Sequence, residues 1–337
     1  MPSVRLPIQD YLATRAARIS IAVPNIYRVN DWHGLARRSV IFQPLHKHGK
    51  PTTTIMKQTP LISIVTPSFN QGSFIGEALE SVRLQNVEHY EHLVIDGSST
   101  DGTVDLLRKQ ATTRKQQNLF WISERDSGQS EALNKGFRQA NGQIIGWLNS
   151  DDRYRAGCFE HLILAFEDNP EVDIFYGDYL MVDEAGNVLE IRREIEFNAF
   201  VLLYHRILYI PTTATFFRRR IFDEGNWLDE NLHYAMDLEF FIRLLKRGYR
   251  FKHIPQLLAE FRMQPDSKTC SYPDRQRIEH RQVVFATAPI FHHLKSPILR
   301  SLVLPLLRSI ACVRRYSEKM FRGYYWEQVR PNGLRRD

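Results

Sequence analysis

The sequence predicts an α/β fold in which helices flank a mostly parallel central sheet. Short apolar segments rich in β-branched residues begin at Leu61, His92, Leu119 and Ile144, as expected of buried strands. After each of the first three, a turn precedes a segment with apolar residues at helical spacing. Strands that alternate with helices pair in parallel through right-handed crossovers, so the first half of the chain defines the fold class.

The predicted elements follow one another regularly up to residue 148. The first strand covers 61–66 and ends before Pro67, and the helix behind it has apolar residues at 75, 78, 79 and 82. Next come a strand at 92–95, a helix at 104–110, a strand at 119–123, a helix at 130–140 and a strand at 144–148. The alternation then weakens, with helices predicted at 157–169 and 236–247 and strands at 174–183, 188–192, 250–254 and 258–263.

Charge divides the chain into three parts. Residues 1–60 carry nine Lys and Arg against two acids, and residues 285–337 carry ten against three, so each end has a charge of +7. The middle has 26 basic and 33 acidic residues, or −7, which brings the total to +7. We interpret 1–60 as a basic N-terminal extension and linker, 61–284 as the main domain and 285–337 as a basic C-terminal helical extension.

This charge pattern argues against a nucleic-acid binder, whose positive charge should lie on the working face. Basic ends instead suit peripheral contact with an anionic membrane, although solvated helices would have the same composition. The apolar segment 296–313 is interrupted by Arg300, Pro305 and Arg308, which favours an interfacial or packed helix over a membrane span. Three widely spaced cysteines and the absence of a signal-peptide pattern favour a cytoplasmic protein that contacts the inner face of the plasma membrane.

Small polar and acidic residues follow all four predicted strands. Singly, each is explained as a helix cap or a turn residue. Together they indicate a ligand site, because ligands of parallel sheets bind beyond the carboxyl ends of the strands. The residues expected to contact the ligand from these loops and the helix after the third strand are Pro67, Ser68, Asn70, Asp96, Asp126, Lys135, Asn149, Ser150, Asp151 and Asp152.

A divalent cation is expected at the fourth strand end. Asp151 and Asp152 directly follow a buried strand, and carboxylate oxygens are the ligands that Mn²⁺ or Mg²⁺ prefers. The alternative is that both residues cap a helix start, and it is the stronger for Asp152. We therefore predict Asp151 as the metal ligand.

These segments, taken in order, resemble the inverting family 2 glycosyltransferases, which have the GT-A fold with a Rossmann-like sheet. The resemblance covers about 61–268 and rests on SIVTPSFN at 63–70, IDGSSTDG at 95–102, SGQ at 127–129 with NKG at 134–136, and WLNSDD at 147–152. It implies a nucleotide-binding half at 61–152 and an acceptor half at 153–284. The DxD motif of the family falls on Asn149, Ser150 and Asp151, so its first Asp is replaced by Asn.

The resemblance also implies a catalytic base in an acidic motif that opens a helix in the acceptor half. Asp237 matches that position best, with Glu239 as the competing candidate, and a helix N-terminal acid is the structural alternative. Arg262, near the end of the predicted strand at 258–263, and Lys268 beyond it are expected to face the donor diphosphate.

The sequence thus predicts a metal-dependent glycosyltransferase. It would move a sugar from a nucleoside-diphosphate donor, with UDP as the expected nucleotide, to a hydroxyl acceptor in polysaccharide, glycolipid or lipid-linked glycan assembly. Two alternatives remain open: a non-catalytic nucleotide-sugar binding protein, and a sugar nucleotidyltransferase. The second should carry a glycine-rich phosphate loop after the first strand, whereas the chain has PSFNQG at 67–72.

Overall fold

The computed structural model describes residues 60–112, 118–265 and 267–325. These residues contain one sheet of nine strands. Its strand order is β3-β2-β1-β4-β8-β6-β9-β5, with β7 paired to β6. The strands are β1 (Ile62–Ser68), β2 (Tyr90–Asp96), β3 (Leu119–Ser123), β4 (Ile144–Trp147), β5 (Arg153–Tyr154), β6 (Ile174–Val182), β7 (Val188–Arg192), β8 (Thr215–Arg218) and β9 (Phe251–Arg262).

Helices cover the sheet and extend beyond it at the C-terminal end. In the described residues they are α1 (Ile75–Arg83), α2 (Thr103–Ala111), α3 (Gln129–Gln139), α4 (Cys158–Asp168), α5 (Ala199–Tyr204), α6 (Arg220–Asp223), α7 (Met236–Lys246), α8 (Lys268–Ser271), α9 (Pro273–Thr287), α10 (Pro289–His293) and α11 (Pro297–Phe321). A 3₁₀ turn at Thr212–Ala214 precedes β8. The predicted α/β fold with its C-terminal helical extension is confirmed.

The first half of the chain folds as the sequence predicts. Strands β1 to β4 pair in parallel, and the register places Ser68 beside Asp96 and Asp96 beside Ser123. Every residue of β1 is buried, because helices cover both faces of this part of the sheet. The loops after the four strands therefore meet at one edge.

The second half is less parallel than the sequence suggests. Of the eight strand pairings in the described residues, four are parallel and four are antiparallel. Two strands were not predicted, β5 and β8, because they are only two and four residues long. The two strands expected at 250–254 and 258–263 are one strand, β9, whose register against β6 shifts around Pro255, a residue without an N–H to donate.

Helix α11 packs onto the main domain. Leu304 and Ala311 belong to the same apolar core as β4 and α7. The carboxylate of Glu194, which is fully buried, accepts two hydrogen bonds of 2.7 Å from Arg315 and lies 3.4 Å from the amine of Lys319.

The two predicted boundaries of the main domain can be compared with the described residues. The extension at 1–60 lies outside the described residues except for its last residue, and the boundary expected after residue 284 falls within α9. None of the helices in the described residues is both long and apolar enough to cross a bilayer.

Candidate active site

A cavity of about 580 Å³ opens at the edge where strands β1 to β4 end. The loops after these strands form one wall, and segments from the second half of the chain form the other. Nine of the residues predicted from the sequence line it: Pro67, Ser68, Asp126, Asn149, Ser150, Asp151, Asp237, Arg262 and Lys268.

Asp151 presents its carboxylate to this cavity. Its Oδ2 accepts a hydrogen bond of 2.7 Å from the side-chain amide of Gln264, which is the second residue after β9. Burial raises the pKa of Asp151, so the ionised form needs a nearby cation or donor to be stable. A single carboxylate with a neutral neighbour fits an ion that takes most of its ligands from phosphate and water, as Mg²⁺ does.

The described residues contain no group of three or more His, Cys, Asp or Glu side chains that could enclose a metal ion. A cation at Asp151 would therefore need oxygens from a bound diphosphate. The residues present fit a metal that arrives with its nucleotide, and they do not fit a closed structural site.

Asp152 points away from the cavity. It is 1% exposed, and it accepts hydrogen bonds from the backbone N–H of Arg262 at 2.9 Å, from the amide of Asn149 at 3.0 Å and from the hydroxyl of Thr213. Burial and then the adjacent charge of Asp151 raise its pKa to about 8. These contacts make Asp152 a residue that holds the fourth loop against β9.

Asn149 explains why the first acid of the DxD motif is dispensable for the fold of this loop. Its amide nitrogen donates to Asp152, while its oxygen accepts from the indole of Trp147 and from Gln129, each at 2.9 Å. An aspartate could accept from the last two but could not donate to Asp152.

Arg262 joins both walls of the cavity. Its guanidinium donates to the backbone carbonyl of Asp151 at 2.9 Å, to the carbonyl of Glu184 at 2.5 Å and to the carboxylate of Glu77 at 2.6 Å. The side chain is 1% exposed and lies over the ring of Phe74. Most of its donors are thus used inside the protein, which fits a residue that positions the loop after β4.

The loops after β1 and β2 form another part of the wall that contains Asp151. The hydroxyl of Ser68 is buried there and has no hydrogen-bond partner among the described residues. Gly97 lies so close to Asp126 that a Cβ at this position would be 2.9 Å from its Oδ2. Burial raises the pKa of Asp126, whose carboxylate also accepts from the backbone of Gly128 at 3.0 Å.

Asp96 lies beneath this wall and does not line the cavity. It is fully buried, and its carboxylate accepts from the backbone N–H of Ser99 at 2.9 Å and from the hydroxyl of Ser123 at 2.7 Å. These bonds hold the loop after β2 in place.

Asp237 is the second residue of α7 and lines the cavity from the second half of the chain. Its Oδ1 accepts a hydrogen bond of 2.7 Å from the backbone N–H of Leu238. Burial, and more weakly the charge of Glu279, raises its pKa to about 6. A carboxylate with that pKa is ionised at neutral pH and basic enough to accept a proton.

Besides Asp96 and Asp152, three of the predicted residues lie outside the cavity wall. Asn70 has a φ of 51° and closes its loop by accepting from the backbone of Thr100 at 2.9 Å. Lys135 is paired at 2.9 Å with each of two carboxylates, Glu124 and Glu131, and Glu239 is paired with Arg243.

Lys268 lies in the cavity wall, and further residues in or near the wall were not predicted. Lys268 donates to the side-chain oxygen of Gln129 at 3.1 Å and to the backbone carbonyl of His233 at 3.2 Å, so it links the two halves. Gln264 and Gln129 each lie within segments that the resemblance covers. Glu279 carries no sequence signal, because its role depends on which backbone it meets.

The fold and a cavity lined by the carboxylates of Asp126, Asp151 and Asp237 are those of a glycosyltransferase with a GT-A fold. Residues 63–225 match the family model described as Glycosyl transferase family 2. Residues 63–225 are therefore a glycosyl transferase family 2 domain.

Curated relatives agree with this assignment. TuaG of Bacillus subtilis (strain 168), named for teichuronic acid biosynthesis, is 26% identical over 204 residues, which are 60% of this chain and 79% of TuaG. Chondroitin synthase of Escherichia coli is 24% identical over 245 residues, which are 71% of this chain but only 34% of that enzyme.

Solved structures show the same fold. S. aureus TarS (residues 1–349) in complex with UDP-GlcNAc has a TM-score of 0.56 at 17% identity, covering 69% of this chain and 68% of that chain. The mannosyltransferase PcManGT from Pyrobaculum calidifontis, in complex with GDP-Man and Mn²⁺, has a TM-score of 0.56 at 18% identity, covering 75% and 73%.

Proposed function

We propose that this protein transfers a sugar from a nucleoside-diphosphate donor, with UDP as the first candidate, to a hydroxyl acceptor with inversion at the anomeric carbon. The observation that carries the proposal is that Asp151 and Asp237 line one cavity from opposite halves of the chain. Asp151 would bind the cation that accompanies the diphosphate, and Asp237 would accept the proton of the acceptor hydroxyl.

The donor would lie along the loops after β1 to β4. The unpaired hydroxyl of Ser68 and the carboxylate of Asp126 are polar groups in that wall that can accept or donate hydrogen bonds to a nucleoside. The ligands named for TarS and PcManGT are nucleotide sugars, which supports this class of donor. Since one neighbour binds UDP-GlcNAc and the other GDP-Man, the choice of base is left to experiment.

Asp237 would act as the general base. Its pKa of about 6 leaves the carboxylate ionised near neutral pH, ready to accept the proton of the attacking hydroxyl. The oxygen would attack the anomeric carbon from the face opposite the phosphate, so a single displacement inverts the configuration. No residue of the protein needs to act as a nucleophile.

Asp151 would hold Mn²⁺ or Mg²⁺ together with the donor. When bound, the ion would neutralise charge on the departing nucleoside diphosphate. The protein contributes the position of the carboxylate, which Gln264 and the backbone contact with Arg262 fix.

The acceptor would be a growing glycan or a glycolipid. The names of TuaG and chondroitin synthase both refer to polysaccharide synthesis, which supports a polymeric or lipid-linked acceptor at a cell envelope. The acceptor half places His233 and Tyr234 in the wall beside Asp237, where a sugar ring could stack.

The test is a pair of matched variants assayed for transfer and for donor binding. Asp237→Asn should lower kcat by roughly 10²–10⁴-fold and leave the donor-induced rise in Tm intact. Glu239→Gln is the control on the same helix turn, and it should retain most of the activity. The assignment fails if Glu239→Gln abolishes transfer while Asp237→Asn does not.

A second measurement identifies the nucleotide and the metal. Thermal unfolding with UDP, GDP, dTDP and their sugars, with and without Mn²⁺, should show a metal-dependent rise in Tm for one of them. Asp151→Asn should remove that rise. Donor binding without any turnover on a range of glycan acceptors would instead favour a non-catalytic nucleotide-sugar binding protein.

A further inference from the structure

Helix α11 exposes an apolar face to solvent. Its inner face packs on the domain through Leu304 and Ala311, which are buried. On the opposite face, apolar side chains recur every three or four residues and are 48–66% exposed: Leu302, Leu306, Ile310, Val313, Tyr316 and Met320. We call these six residues the outer face of α11.

A helix that is apolar on both faces normally has both faces covered. The outer face contains no charged residue, and it spans 19 positions, or roughly 28 Å at 1.5 Å per residue. Contiguous apolar surface of more than a few hundred Å² marks a binding surface for a partner or a membrane.

The elements around this face are strongly basic. Residues 273–325 contain ten lysines and arginines against three acids. Each of the three acids already has a partner: Asp274 pairs with Arg277, Glu318 pairs with Arg322, and Glu279 accepts from backbone N–H groups. With Glu194, which pairs with Arg315 and Lys319, four of the ten basic residues have a carboxylate partner, and the other six have none within 4 Å among the described residues.

Three arginines form an uncompensated group beside α11. Arg206 follows α5, Arg281 lies on α9 and Arg308 lies on α11. Burial, and then the charges of the other two arginines, lowers the pKa of Arg308. Within the described ranges, none of the three has a carboxylate within 4 Å, so the structure contains a concentration of positive charge with no internal counter-ion.

Two buried histidines next to these arginines have ring nitrogens without a hydrogen-bond partner. His205 is 3% exposed and His280 is 7% exposed. The Nε2 of His205 and both ring nitrogens of His280 have no partner among the described residues. The His205 ring lies 6.5 Å from the ring of Tyr316, which places the group next to the outer face.

We propose that the outer face of α11 lies in the surface of an anionic phospholipid bilayer, with Arg206 and Arg281, which are exposed beside α11, binding lipid phosphates. Leucine, valine and methionine side chains on one helix face would enter the interfacial region, while the arginines meet headgroups of opposite charge. Each such basic residue near an anionic surface makes the free energy of membrane binding more favourable.

Charge makes the bilayer a better occupant than a second copy of the chain. Two copies joined through α11 would bring the same arginine groups towards each other without acids to offset them. A small soluble anion would satisfy the arginines, but it would leave the outer face in water. The bilayer alone provides both an apolar phase and a dense array of phosphates.

The test is co-sedimentation of the full-length protein with vesicles of phosphatidylcholine alone and with roughly 30% phosphatidylglycerol added. Binding should be at least about tenfold stronger to the anionic vesicles. Leu302→Glu and Arg281→Glu should each reduce it by at least about tenfold. The matched controls are Leu189→Glu, an exposed leucine on β7, and Arg277→Glu on the same helix, and both should bind as the unmodified protein does.

Several results would overturn the proposal. Equal binding to both vesicle types, or none, would exclude an anionic bilayer. A concentration-dependent dimer that Leu302→Glu dissociates would show that a second copy covers the face. A large fall in Tm for Leu302→Glu would show that another segment of this chain covers it. A rise in Tm with inorganic phosphate, lost in Arg281→Glu and without vesicle binding, would identify a soluble anion site.

Discussion

The carboxylate of Glu279 accepts a hydrogen bond of 2.6 Å from the backbone N–H of Ala235, two residues before Asp237. It also accepts from the N–H groups of His233, at 3.0 Å, and Tyr234. The donors that precede the first turn of α7 are thus satisfied by a side chain of α9, which fixes where α7 begins and where Asp237 points.

Glu279→Gln should disturb both stability and chemistry. Glutamine offers one acceptor oxygen where glutamate offers two, so at least one of the three N–H groups loses its charged acceptor, at about 1–3 kcal/mol in the free energy of unfolding. Loss of the negative charge should also lower the pKa of Asp237. Urea unfolding and a pH profile of kcat/KM measure the two effects. Asp274→Asn, an exposed acid on the same helix, should leave both unchanged.

The rate of transfer should depend on the ionisation of Asp237. Because burial raises its pKa to about 6, the base becomes protonated as the pH falls below that value. We expect kcat/KM to decline about tenfold per pH unit on the acidic side, with a midpoint near 6. Glu239→Gln should keep this midpoint, and an acidic limb centred near 4 would contradict the assignment of the base.

The same carboxylate should destabilise the folded protein at neutral pH. An unfolded Asp has a pKa of 3.8, and the folded value is higher, so the native state loses stability as the pH rises from about 4 to about 6. Asp237→Asn removes that loss and should increase the free energy of unfolding by up to about 3 kcal/mol at pH 7.5. At pH 4 the variant and the unmodified protein should agree. A variant that is less stable at both pH values would refute this account.

Asn149→Asp should weaken the fourth loop even though it restores the usual motif. The substitution removes the hydrogen bond donated to Asp152 and adds a third carboxylate beside two buried ones. We expect a loss of about 1–3 kcal/mol in the free energy of unfolding. Asn187→Asp provides the control, because it also places a carboxylate beside an aspartate, Asp183, but on an exposed turn. Equal effects of the two variants would argue against the role given to Asn149.

Arg315→Ala should lower the free energy of unfolding by more than the substitution of any exposed arginine does. It would leave the buried carboxylate of Glu194 with only the longer contact to Lys319, and breaking a buried pair costs about 3–5 kcal/mol. Arg314→Ala, next to it and exposed, should change the free energy of unfolding by less than about 0.5 kcal/mol. Chemical denaturation of both variants gives the comparison directly.

The sequence predicted the parts of this site that depend on local pattern. A buried strand followed by a polar loop locates Ser68, Asp126 and Asp151 at the edge of a parallel sheet, and the structure places them in one cavity wall. Their position follows from strand direction alone, without knowledge of any distant contact.

The remaining contacts depend on chain segments that are far apart in sequence. Gln264 meets Asp151 across 113 residues, and Glu279 meets Ala235 across 44. The opposite directions of Asp151 and Asp152 could not be foreseen either, because two partners of Asp152 are distant in sequence, Arg262 and Thr213. Local signals say which residues are polar, but not which of them are already bonded.

The buried pair between Glu194 and Arg315 also fixes the height of the cavity above any surface that holds α11. A helix held to the domain by a buried ion pair cannot move independently of it. An enzyme attached through α11 would therefore keep a fixed orientation and a fixed distance between the surface and Asp237. Acceptors would then be selected by length: a glycan whose end lies at the level of Asp237 would be extended, and a shorter or longer one would miss the base.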